Sequence, residues 1–73
     1  MRRLIIMRVY DFNKSKPKND RTILILVKDY NWGEGCQLKT EIARMINGEC
    51  VLSPVELDIK MPLDRIVKWS YIN

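Results

Sequence analysis

The sequence predicts a small α+β domain, a four-stranded and mainly antiparallel sheet with one helix packed on a face in the order β-β-α-β-β. Three observations carry this. Two apolar, alternating runs precede residue 31, one amphipathic stretch with helical spacing follows, and alternation returns between residues 55 and 72. With 73 residues, the chain has room for one domain, spanning 1–73, near the lower size limit for a self-sufficient core.

The first strand is read in "LIIMRVYDF" (4–12), where Ile5, Met7 and Val9 alternate with Leu4, Ile6 and Tyr10. The second is "RTILILVKDY" (21–30), with Ile23, Ile25 and Val27 on one face and Leu24, Leu26 and Tyr30 on the other. Residues 13–20 form a polar connector, so an antiparallel hairpin is the economical pairing of these strands. "NWGEG" (31–35) reads as a turn. In "CQLKTEIARMING", residues Leu38, Ile42, Met45 and Ile46 fall at i, i+4, i+7 and i+8, the stripe of an amphipathic helix, with Gly48 as its stop. Alternation through Val55, Leu57, Ile59 and Met61 predicts another strand. Pro54 divides it from an earlier piece and favours an edge position. After a turn at "PLD" (62–64), "RIVKWSYI" (65–72) predicts the last strand.

Charge is uneven. The formal net charge is +4, but residues 1–28 hold eight basic and two acidic side chains, while residues 29–73 hold five basic and seven acidic ones. The basic connector, with Lys14, Lys16, Lys18 and Arg21, is the candidate contact for nucleic acid or another anion. Tyr10, Phe12 and Tyr30 flank it, where they can serve either base stacking or the core.

The chain has no histidine, which removes the commonest general base and metal ligand. The carboxylates are scattered, and no spacing suggests an acid–base pair. No catalytic residue, cofactor or metal ligand is therefore assigned, and the expectation is a protein that is not an enzyme. A helix opening after Trp32–Cys36 would offer a weak anion site and a thiol at its first turn. Cys36 and Cys50, at opposite ends of a helix over 37–47, would lie roughly 15–20 Å apart, too far for a disulfide. Free thiols, the short apolar run 4–7 and the lack of a membrane-length apolar stretch lead to an expected cytoplasmic location, with no membrane partner.

The first two strands are apolar on both faces, and one short helix covers only one face of a sheet. The surplus is met by a sheet that curls on itself, by a homodimer, or by another protein docking there. The favoured function is a stand-alone protein-interaction module, an inhibitor or adaptor, using the sheet face at Leu24 and Leu26 and an edge strand at Trp69, Tyr71 and Ile72. A nucleic-acid-binding regulator built on the first hairpin is the alternative, and an anion binder at Trp32–Cys36 a third.

Overall fold

A computed structural model describes residues 8–31 and 35–72. They form one six-stranded sheet: β1 Tyr10–Asp11, β2 Thr22–Asn31, β3 Gly35–Ile46, β4 Glu49–Leu52, β5 Lys60–Met61 and β6 Ile66–Tyr71. The spatial order is β1-β6-β2-β3-β4-β5 and every neighbouring pair is antiparallel. The α+β expectation is overturned. Among the described residues there is no α-helix, only 3-10 turns at Val55–Leu57 and Leu63–Arg65.

The segment expected to be helical is β3. Its register with β2 runs unbroken from Thr22 opposite Arg44 to Asn31 opposite Gly35. The stripe of Leu38, Ile42, Met45 and Ile46 satisfies helical spacing, but alternation also fits: Ala43 and Met45 face the core, whereas Leu38 and Ile42 remain 60% and 47% exposed on the opposite face. The decisive local element is Asn47-Gly48. Both residues have positive φ, 51° and 80°, which a two-residue hairpin loop of twisted strands requires. Gly48 therefore closes a β-hairpin; it does not end a helix.

Among the described residues the expected first hairpin does not form either. β1 pairs with β6, with Tyr10 opposite Trp69, and β6 lies between β1 and β2. Residues 4–7 of the expected first strand lie outside the described residues. β6 is thus an inner strand, and the edge position proposed for it is corrected. Ile72 N–H donates to Thr22 O at 3.2 Å, and Phe12 N–H donates to Val67 O at 3.0 Å, so alternate backbone groups of β6 reach opposite neighbours. The stretch after Pro54 yields one turn of 3-10 helix and then the two-residue β5, which does take an edge of the sheet.

The core lies on one face of the sheet. Ile23, Ile25 and Val27 of β2, Ala43 and Met45 of β3, Cys50 of β4 and Ile66 and Trp69 of β6 are buried there together with Phe12. Chain 12–20 covers this face. Pro17 is buried, Ser15 O accepts the Trp69 indole N–H at 2.7 Å, Lys18 N–H donates to the Tyr71 hydroxyl at 3.1 Å, and Asp20 N–H donates to Met45 O at 2.7 Å. The Tyr10 ring stacks on Trp69 at 4.6 Å and Tyr71 meets it edge-on at 4.7 Å.

Trp69, 3% exposed, therefore holds strand, loop and core together. Trp69→Ala is expected to cost about 3–5 kcal/mol, enough to unfold most of a chain this small. Trp69→Phe, which keeps a ring but leaves Ser15 O without its donor, is expected to cost less. Urea titrations monitored by far-UV circular dichroism check both; an alanine variant as stable as the wild type would contradict the packing.

Candidate functional site: an open apolar sheet face

Alternation along β2 sends Ile23, Ile25 and Val27 to the core and Leu24 and Leu26 to the opposite face. Cross-strand register extends that second face. Leu24 sits opposite Ile42 and Ser70, Leu26 opposite Thr40 and Lys68, and Lys28 opposite Leu38. Leu24 and Leu26 are half-buried, and Val9, at 60% exposure, borders them from the β1 side. A groove of about 190 Å³ follows Val9, Leu24, Leu26, Thr40, Lys68 and Ser70. A second hollow, bordered by Glu41, Ile42 and Ser53, shares Leu24 and Thr40 with it. Ser70, the one polar residue fully buried in the sheet among the described residues, donates its hydroxyl to Arg8 O at 2.6 Å and so anchors the chain entering β1.

The expected binding residues divide. Leu24 and Leu26 lie on this open face. Trp69 is in the core beneath the opposite side, Tyr71 is half-buried beside it, and Ile72 is half-buried where its backbone meets Thr22. Val9, Leu38 and Ile42 complete the face and were not assigned to it from the sequence; Leu38 and Ile42 were placed in a helical core. The Asn47-Gly48 pair was the available sign, because a hairpin there makes the preceding residues a strand and turns Leu38 and Ile42 to the face of Leu24.

The basic segment is a packed crossover that continues past the core. Lys16 Nζ lies 4.1 Å from the centre of the Phe12 ring and also donates to Phe12 O; the Arg21 guanidinium lies 4.4 Å from the centre of the Tyr71 ring. All four cations, Lys14, Lys16, Lys18 and Arg21, are nonetheless exposed. Phe12 is buried and Tyr10 is stacked on Trp69, so both serve the fold. Tyr30 is exposed, with the Arg65 guanidinium 5.6 Å from its ring centre.

The third candidate loses its physical basis. Residues 32–34 lie outside the described residues, and Gly35 and Cys36 begin a strand, so the helix N-terminus that would have bound an anion there is absent. Among the described residues, no group of three or more His, Cys, Asp or Glu side chains is placed to hold a metal ion. No helix there is long and apolar enough to cross a membrane.

Comparison with protein-family models, curated proteins and solved structures finds no significant match.

Both thiols are free, Cys36 exposed and Cys50 buried. The separation invoked for them was that of a helix, whereas an extended β3 in fact carries them apart. Burial pushes the Cys50 thiol up to about 11 from an ordinary value of 9.0. Because the folded value is the higher one, the stabilisation is fully present below pH 9.0 and is lost as pH rises towards about 11. A thiol reagent is therefore expected to label Cys36 in the native protein and Cys50 only on unfolding. Stability should fall between those two pH values by more in the wild type than in Cys50→Ala. Rapid native labelling of both thiols would contradict the buried position.

Proposed function

We propose that the protein is a stand-alone, non-enzymatic interaction module, an inhibitor or adaptor, that docks another protein on the open face of β2 and β3. The observation that carries this reading is the exposure of Leu38 and Ile42 beside Leu24, Leu26 and Val9, on the side of the sheet away from the core. Contiguous exposed apolar area of this kind marks interaction surfaces more often than it serves a monomer. A rigid sheet whose backbone bonds are internally satisfied presents such side chains with little ordering cost on binding. Two free thiols suit action in a reducing cytoplasm.

The nucleic-acid reading is less well supported. Two of the four cations assigned to it lie against Phe12 and Tyr71, and two of its three candidate stacking rings belong to the fold.

Ile42→Arg places a charge on the face while leaving the core side of β3 untouched, so it is expected to keep the wild-type circular dichroism spectrum and most of its stability. Proteins retained by immobilised wild type after nuclease treatment should be lost from this variant and kept by Lys14→Ser/Lys18→Ser. Retention that follows nuclease treatment or the lysine variant, and ignores Ile42, would overturn the reading in favour of nucleic acid.

A further inference from the structure

The open face is framed by charge, and the charge narrows its occupant. Lys28 follows Leu26 by two residues on the same face of β2, and Lys68 lies directly across from Leu26 on β6. Both are exposed, and no carboxylate lines the groove that Leu26 shares with Val9 and Leu24. Asp11 of β1 is the direct cross-strand partner of Lys68 and shares its face; its Oδ1 accepts the Asn13 N–H at 3.0 Å, and among the described residues no ion pair joins it to Lys68. Glu41, beside the second hollow, is 3.1 Å from Lys39 Nζ, and Glu56 shares a separate hollow with Arg44.

We infer that this face takes an amphipathic helix from another protein, one whose apolar stripe covers Leu24, Leu26, Leu38 and Ile42 and whose flanking Asp or Glu side chains meet Lys28 and Lys68. This rests on the protein-docking reading and adds the chemistry of the partner. The backbone groups of β2 facing this groove are bonded to β3 and β6, so an occupant lying on the face must satisfy its own, as a helix does. A helix is also of matching width: two strand spacings come to about 10 Å, the diameter of a helix with its side chains. Charge sets aside the two other sources of apolar surface. A second copy packed on this face would add its own Lys28 and Lys68 to the contact, and the chain's own apolar run 4–7 follows Arg2 and Arg3.

The test uses two synthetic helices with the same leucine stripe, one flanked by glutamates and one by lysines, titrated into isotope-labelled full-length protein. The glutamate helix is expected to shift the amides of Leu24, Leu26, Thr40 and Ile42 and to bind about tenfold more tightly than the lysine helix. In Lys28→Glu/Lys68→Glu the preference should reverse. Equal binding of the two helices would overturn the inference, as would shifts confined to residues 13–20. So would sedimentation showing a wild-type dimer that Ile42→Arg makes monomeric, which would assign the face to a second copy. Should neither helix bind while Ile42→Arg still abolishes protein capture, the inference fails and the docking reading stands.

Discussion

The indole of Trp69 is the point on which the fold turns. It sits on an inner strand and faces the core. Its ring is sandwiched by contacts from β1 and its own strand, and its N–H is taken by the backbone of the loop that follows β1. A buried indole without an acceptor costs free energy, so the Ser15 carbonyl and the path of chain 12–20 are set by the same requirement that places the ring. Three features follow together. β6 must enter between β1 and β2, the crossover must lie over the core face, and Lys16 and Arg21 are drawn onto aromatic rings at its margin.

This use of the longest connector among the described residues explains the asymmetry of the sheet. One face receives the loop, Phe12 and the curl of β4 and β5; Leu52 and Met61 pack at its border. The other receives no described strand: Val9 approaches the groove at one side, and Ser53 to Glu56 border it beside Thr22, Ile42 and Arg44. The apolar character of β2 on both faces thus has two different physical causes. Ile23, Ile25 and Val27 fill the core, and Leu24 and Leu26, with Ile42 across from Leu24 and Leu38 across from Lys28, lie on the face away from it, the one the docking proposal uses.

Much of the strand content was legible, because β2 alternates over its ten residues, β6 falls within the expected 65–72 and Pro54 follows β4. The expected faces of β6 were not, since Ile66 and Trp69 both enter the core, and only Lys60–Met61 of the strand expected after Pro54 is extended. Nor was the pairing legible. Nothing local distinguishes a hairpin of β1 with β2 from a sheet in which β6 intervenes, since that choice is made by Trp69, Ser15 and Phe12 across more than fifty residues. The error over β3 has a different source. A short stretch with apolar residues at 38, 42, 45 and 46 fits both periods. The helical reading took Gly48 as a C-cap and passed over Asn47-Gly48 as the turn of a hairpin. That one misreading moved Leu38 and Ile42 from an open face into a core and concealed most of the candidate site, while Leu24 and Leu26 remained visible because β2 was read correctly. The cationic loop was legible as composition, but its role was not, because backbone contacts to Trp69, Tyr71 and Met45 do not depend on lysine and leave no mark in the charge pattern.

Amide hydrogen exchange along β6 tests the account most directly. An inner strand bonded alternately to two neighbours protects consecutive amides, whereas an edge strand protects every second one. The structure requires Lys68, Trp69 and Ser70 all to exchange slowly, the even positions held by β2 and Trp69 by β1, together with a slowly exchanging Trp69 indole N–H. Alternating fast and slow amides through β6, or an indole proton that exchanges as freely as an exposed one, would contradict the account.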